Sequence, residues 1–276
     1  MRIFLGFAVA AACWSGLAHA EAAPGPAPRA PVAANATLEQ RVLAEINYVR
    51  AHPRDYADEL RHYRSLFRGR LVYEPGDSIP LATNEGTSAV DEAIAWLDRQ
   101  APLAPLAPGS VLAAAALDHA RAQGPRGLTG HVSTDGASPG DRVRRRGGDI
   151  YVGETISYGY DRPDQVVRAF IVDDGVPDRG HRELIFDPEF HFAGVGCGMH
   201  ARFRYLCVVD YAGTVNGAPD FASPIRQRPA APSRARTRRA TYQGIASNSD
   251  DYDDAPDLTP EPGETIVYEE VVEEIG

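Results

Sequence analysis

The sequence contains no lysine, so all 28 of its basic side chains are arginines, and 38 acidic residues outnumber them. The resulting formal net charge of −10 argues against a nucleic-acid partner, because binding to phosphates needs a concentrated basic face. Long hydrophobic runs are also missing. After the first 20 residues, none approaches the roughly 20 apolar residues that a membrane-spanning helix needs. We therefore expect no transmembrane segment in the mature protein.

The first 20 residues have the pattern of an export signal. Arg2 supplies a positive start, residues 3–13 are mostly apolar, and Ala18-His19-Ala20 is a small-x-small cleavage pattern. We expect cleavage before Glu21, and therefore a secreted or periplasmic protein. An uncleaved membrane anchor and a lipoprotein attachment at Cys13 are the alternatives.

Cysteine is scarce, and removal of the signal leaves only Cys197 and Cys207. An even number of cysteines in an exported chain favours a disulfide. Two strands, near 192–199 and 204–211, are predicted around a turn near Arg202, and this hairpin would place the two cysteines opposite each other. Two unrelated buried thiols are the alternative.

The composition changes at both ends of a central region. Residues 21–36 are rich in Ala and Pro and are predicted to be a linker. From residue 216 to 276 the chain is first rich in Arg and Pro and then acidic, a composition typical of a disordered tail. The region between them, 37–215, has the length of one domain.

Helical and strand patterns both occur in the central region. Thr37 and Gln40 form a capping box for a helix that is predicted to end at Pro53. Further helices are expected at 84–99, 110–123 and 163–174, and strands at 151–158, 192–199 and 204–211. This mixture, with a hairpin at its end, predicts an α+β layered domain.

Titratable side chains stand beside glycines in three segments, residues 127–136, 153–156 and 173–183. Glycine allows the backbone and a ligand to approach each other closely, because it has no Cβ. Imidazoles and carboxylates gathered in one cleft could hold a divalent metal or transfer protons.

These segments, in this order, resemble the CAP family of cysteine-rich secretory proteins, insect venom antigens and plant pathogenesis-related proteins, in its bacterial form. The resemblance extends over residues 38–214, and its most specific part is GHRELIFDPEFHFAGVGCG. Its other parts are INYVRAHP, LDHARAQGPRGLTGH, GETISYG and CVVDYAG. The resemblance implies a three-layer α-β-α sandwich with a small, mainly antiparallel sheet between helices.

The family has a central cleft with two His and two acidic residues. By resemblance, His131, Glu154 and His181 occupy three of these positions, and Asp173 takes the place of the family's second Glu. If a metal such as Zn²⁺ binds, His131 and His181 are its expected ligands, together with Glu154. No cofactor follows with certainty from the sequence.

The sequence departs from the family pattern around this cleft. Phe170 stands where the family has Trp, Thr155 replaces an Asn, and Arg182 replaces an aromatic residue. Asp173 is one methylene shorter than Glu, so its reach into the cleft is in question, and Asp174 is an alternative occupant. Among the other histidines, His119 is expected to be structural, His191 and His200 are expected at the surface, and His52 and His62 are expected on polar helix faces.

Three functions are compatible with this sequence. The leading prediction is a binding module whose His/Glu/Asp cleft holds a ligand, such as a lipid, a sterol or a cell-envelope component. It is favoured because no activated Ser or Cys nucleophile is visible. The alternative is a metal-assisted, peptidase-like hydrolase that uses His131, His181 and Glu154. In the third, the four residues only stabilise the fold.

Overall fold

The structure is a computed structural model that describes residues 27–219. The predicted export signal, residues 21–26 of the predicted linker and the tail from residue 220 onward lie outside the described residues. Within residues 27–219, no helix is both long enough and apolar enough to cross a membrane.

Residues 27–219 form seven α-helices and seven β-strands. The helices are α1 (Leu38–Ala51), α2 (Pro53–Ser65), α3 (Thr87–Leu97), α4 (Ser110–Gln123), α5 (Pro139–Arg145), α6 (Pro163–Val172) and α7 (Gly180–Ile185). The strands are β1 (Phe67–Arg68), β2 (Leu71–Val72), β3 (Leu81–Ala82), β4 (Ala107–Pro108), β5 (Gly153–Tyr158), β6 (Phe192–His200) and β7 (Arg204–Ala212).

The first helix begins as its sequence predicts. The Thr37 side chain accepts a hydrogen bond from the backbone N–H of Gln40, and the Gln40 side chain in turn accepts one from the backbone N–H of Thr37. The helix ends before Pro53, but Pro53 itself begins α2, which the sequence analysis did not predict. Proline is compatible with the first turn of a helix, because its missing N–H would have had no partner there.

The main sheet has the strand order β4-β6-β7-β5. The short β4 runs parallel to β6, and the other neighbours are antiparallel. Register places Glu154 of β5 opposite Asp210 of β7, which in turn lies opposite Gly194 of β6. Because directly opposed residues of antiparallel strands share a face, Glu154 and Asp210 are on the same side of the sheet.

Helices cover both faces of this sheet, so the predicted α+β, three-layer sandwich is confirmed. Helix α4 lies so close to β6 that a Cβ on Gly194 would come within 2.0 Å of the backbone N of Ala113. The opposite face packs against α1 and α6 in the largest hydrophobic core, which includes Val195 and Tyr211.

Other sequence expectations hold with altered boundaries. The helix expected at 84–99 is shorter, at Thr87–Leu97, because the chain before it forms a loop that Asp174 fixes at Asn84 and Glu85. The two-residue strands and the short helices α5 and α7 were not predicted, because a segment of so few residues shows no periodic pattern.

The predicted disulfide joins Cys197 and Cys207. The two residues are direct partners in the β6–β7 hairpin, with 4.1 Å between their Cα atoms. The bridge therefore connects the two strands that form the centre of the sheet.

Candidate functional site

Two His–carboxylate pairs contain the four residues predicted from the family resemblance. In the first pair, His131 Nδ1 lies 2.8 Å from Glu154 Oε1. His131 lies in the loop after α4, and Glu154 is the second residue of β5. Only 4% of the His131 side chain and 1% of the Glu154 side chain are exposed. The carboxylate is thus removed from water and depends on its partners in the protein.

Arg142 of α5 is the second partner of Glu154, and the sequence analysis missed it. Its Nη2 donates to Glu154 Oε2, and its Nη1 donates to the carbonyl oxygen of His131 at 2.8 Å. Burial alone would raise the pKa of Glu154, but the His131 hydrogen bond and the Arg142 charge outweigh it and lower that pKa. Glu154 is therefore an ionised carboxylate at neutral pH.

Asp210 adds a second carboxyl group beside Glu154. It is fully buried, and neither of its carboxyl oxygens has a hydrogen-bond partner among the described residues. Burial, and secondly the charge of Glu154, raise the pKa of Asp210 well above its ordinary value. The raised pKa favours the protonated, neutral form of Asp210.

The second pair consists of His181 and Asp173. Asp173 Oδ1 lies 2.6 Å from His181 Nδ1, and its Oδ2 accepts the backbone N–H of His181 at 3.0 Å. Asp173 follows the last residue of α6 and has a left-handed backbone, with φ 57° and ψ 44°. This conformation turns the short side chain toward the start of α7, so the missing methylene does not prevent contact with the imidazole.

The positions that depart from the family pattern have defined contacts. Asp174, the alternative occupant, instead accepts the backbone N–H groups of Asn84 and Glu85. Arg182 is buried and donates to the backbone of α6, at the carbonyl oxygen of Ile171. Phe170 packs against the His181 ring, with 5.6 Å between the ring centroids.

Both pairs adjoin β5. Glu154 lies on the strand, and α7, which carries His181, packs against it, since a Cβ on Gly153 would approach Leu184. The convergence of both pairs on one cleft stays a prediction.

The metal site expected at His131, His181 and Glu154 stays a prediction. Within residues 27–219, no three or more His, Cys, Asp and Glu side chains have an arrangement that could hold a metal ion. Arg142 also places a permanent positive charge on Glu154, the expected third ligand. That charge would repel a cation bound at the same carboxylate.

The other histidines have structural contacts. His119 is fully buried, as expected, and its Nδ1 lies 2.8 Å from Ser133 Oγ while its Nε2 lies 2.9 Å from the Gly130 carbonyl oxygen. His200 was expected at the surface, but it is buried and its Nε2 bonds to the carbonyl oxygen of Leu128. His191 is exposed, as expected.

A sequence model described as "CAP: Cysteine-rich secretory protein family" matches residues 31–211. No curated protein matches the chain. The solved structures that match include an extracellular protein containing an SCP domain from Bacillus anthracis, with 21% identity over 40% of this chain and a TM-score of 0.34. An outer surface protein from Borrelia burgdorferi matches with 19% identity and a TM-score of 0.33. This match covers 40% of the present chain and 77% of the Borrelia protein. The match spans about a third of the Bacillus protein, 34% of its length.

Proposed function

Because the chain belongs to the cysteine-rich secretory protein (CAP) family, we propose that it is an exported binding protein whose two His–carboxylate pairs hold a lipid or another cell-envelope component. The predicted export signal supports the location. The observation that carries the binding role is the shared design of the pairs, in which a carboxylate engages Nδ1 of each imidazole. Such pairs fix the rings before a ligand arrives, which lowers the entropy lost on binding.

The pairs also define which atoms can meet a ligand. Imidazole nitrogens and carboxylate oxygens exchange hydrogen bonds with hydroxyl and amide N–H groups. A ligand that carries such groups would be recognised through the polar atoms of the His131–Glu154 and His181–Asp173 pairs. Sterols and the head groups of many lipids carry such donors.

Binding is favoured over covalent catalysis because the described residues offer no accessible activated nucleophile. Cys197 and Cys207 are oxidised in the disulfide. Ser133 does contact His119, and its Oγ also accepts a hydrogen bond from Arg142. A serine nucleophile is activated by a base that a third group, commonly a carboxylate, orients, and the other nitrogen of His119 lies on the Gly130 carbonyl oxygen instead.

The test is recovery of bound lipid. The protein is purified from an expression host's envelope fraction, extracted, and its lipids are quantified by mass spectrometry per mole of protein. We expect retained lipid in the wild type and in the exposed control His191→Gln, and a loss of about tenfold in His131→Gln/His181→Gln, which gives up two hydrogen bonds to the ligand. An empty wild type, or equal retention in the double variant, would contradict the proposal.

The metal-assisted hydrolase is tested separately by calorimetric titration with Zn²⁺. The hydrolase predicts tight 1:1 binding that disappears when His131 and His181 are both replaced by Ala. The contact between Arg142 and Glu154 leads us to expect no tight binding. Stoichiometric Zn²⁺ binding that depends on both histidines would favour the hydrolase over the binding protein.

A further inference from the structure

A second candidate site lies away from the His–carboxylate pairs, in a cavity of about 490 Å³ along α2. This volume is within the range of small-ligand sites. Six of the thirteen lining residues are acidic, and they are Glu45, Asp55, Asp58, Glu59, Glu74 and Asp164. Tyr56, Leu60, Tyr63, Leu66 and Pro75 supply apolar and aromatic surface, and Arg168 and His62 complete the lining. None of these residues belongs to either His–carboxylate pair.

Two tyrosines of the cavity wall have polar groups without partners. Tyr56 is 3% exposed and Tyr63 is 8% exposed. Neither phenol oxygen makes a hydrogen bond in the part of the chain that the structure describes, and neither is among the fully enclosed polar atoms there. Each hydroxyl therefore has some accessible surface, and both residues line the cavity. Buried hydroxyls normally have partners, so this wall is prepared for a polar ligand atom.

The chain itself shows which chemical group suits this surface. Arg29 donates from Nε and Nη2 to the carboxylate of the lining residue Glu45, both at 2.6 Å, and from Nη2 to Glu59 at 2.7 Å. Its guanidinium also lies 4.1 Å from the centroid of the Tyr48 ring. A planar cation held by carboxylates and an aromatic face is the arrangement that arginine, more than lysine, satisfies.

A second guanidinium, that of the lining residue Arg168, repeats the arrangement. Arg168 lies 4.1 Å from the centroid of the Tyr63 ring and donates to Glu74. Arg162 and Arg61 pair with the remaining rim carboxylates, Asp164 and Asp58. Asp55 differs from the other five lining carboxylates, because no arginine among residues 27–219 pairs with it.

Asp55 already accepts a hydrogen bond from a backbone N–H group of this chain, and this contact indicates that a peptide is a suitable ligand. Its Oδ2 accepts the backbone N–H of Ala27 at 3.2 Å, and the imidazole of His52 lies 3.7 Å away. The side chain is 32% exposed, so it is accessible from solvent. We propose that this cavity is a binding site for an arginine side chain of a peptide ligand, with Asp55 pairing the guanidinium and Tyr56 accepting one of its N–H groups.

The experiment is an NMR titration of the full exported chain at 0.1 M salt. The probe is the capped tripeptide acetyl-Ala-Arg-Ala-amide, and acetyl-Ala-citrulline-Ala-amide is its uncharged isostere. We expect saturable shifts at α2 residues with the arginine peptide and at least about fivefold weaker binding with citrulline. Absence of saturable binding, or equal binding of the two peptides, would overturn the proposal.

Two conservative variants separate this site from general attraction to an acidic protein. Asp55→Asn is expected to weaken binding about fivefold, and Tyr56→Phe about threefold, because one hydrogen bond to the ligand is lost. The Tyr56 hydroxyl has no hydrogen-bond partner among residues 27–219, so Tyr56→Phe should not lower the unfolding midpoint. The matched control is Asp118→Asn, which should bind like the wild type. Asp118 lies on α4, and its carboxylate is paired with Arg146. Unchanged affinity in both Asp55→Asn and Tyr56→Phe would refute the assignment.

Discussion

Replacement of Arg142 by Met should be among the most destabilising single changes at the candidate site. The guanidinium donates to Glu154 Oε2, and through Nη1 to His131 O, Ser133 Oγ at 3.2 Å and Ala137 O at 3.1 Å. Met keeps the apolar stem and removes these donors. Glu154 would remain buried with only His131 as partner, and removing one member of a buried ion pair costs about 3–5 kcal/mol.

The control for Arg142→Met is Arg145→Met, three residues further along the same helix. Arg145 also pairs with a carboxylate, that of Asp135, but both side chains are more than half exposed, at 57% and 54%. Exposed pairs contribute about 0–1 kcal/mol. At about 2–4 °C per kcal/mol for a domain of this size, Arg142→Met should lower Tm by roughly 6–20 °C, and Arg145→Met by at most about 4 °C.

Urea unfolding at two pH values tests the electrostatic origin of this effect. Because the native pKa of Glu154 lies below its ordinary value, its pairing stabilises the protein above that ordinary value and is lost as pH falls through the native pKa. The difference between wild type and Arg142→Met should therefore be largest near pH 7 and shrink as pH falls below 4.5. Glu154→Gln should also abolish much of the penalty in a double-mutant cycle, with a coupling of about 2 kcal/mol or more. A penalty equal to that of Arg145→Met, or one that is independent of pH, would refute the reasoning.

Three further changes test the fold around the site. Gly194→Ala should destabilise by several kcal/mol, because its Cβ would lie 2.0 Å from a backbone N, whereas Gly198→Ala, whose nearest neighbour would be 3.8 Å away, should be tolerated; urea midpoints compare them. The pKa of Asp210 is raised, so its ionisation in the unfolded chain lowers stability as pH rises above 3.8; Asp210→Asn should gain stability near pH 7 and none near pH 3. Replacing both Cys197 and Cys207 by Ala should cost about 2–3 kcal/mol by the chain-entropy estimate, and a reductant should produce the same loss in the wild type only.

The sequence predicts the fold where the signal is local and repeated. Residues close together in the sequence determine three such features, and the structure confirms each of them. They are the Thr37 cap, the apolar stripe of α6 and the boundaries of α4. The Cys197–Cys207 pairing was predicted from the two cysteines left after signal removal and from the expected hairpin, and the structure confirms it. In contrast, α2 was not predicted, because Pro53 was interpreted as the end of the first helix. Proline is equally compatible with the first turn of a new helix.

The partners of Glu154 could not be predicted in this way. Arg142 lies in a run of arginines, Arg144 to Arg146 following it closely, and nothing in their spacing distinguishes the buried one from its exposed neighbours. Asp210 sits in an apolar strand, where an acid inside such a run was a visible anomaly that could have marked it. Its neighbour across the sheet, Glu154, is 56 residues earlier in the chain, and only the strand register brings them together.

The Asp173 position shows why matching residue types is a weak measure of a conserved geometry. A shorter acid in place of Glu suggested a shorter reach, on the assumption that the backbone stays the same. Here the backbone is left-handed at Asp173 and again at Arg179, with φ values of 57° and 58°. Aspartate is one of the few residues with a side chain that tolerates this conformation, and the turn brings its carboxylate to both the ring and the backbone N–H of His181. Asp173→Glu should therefore not improve the contacts with His181, because the longer Glu side chain would have to fold back to reach the same ring and backbone N–H. We expect this change to lower Tm.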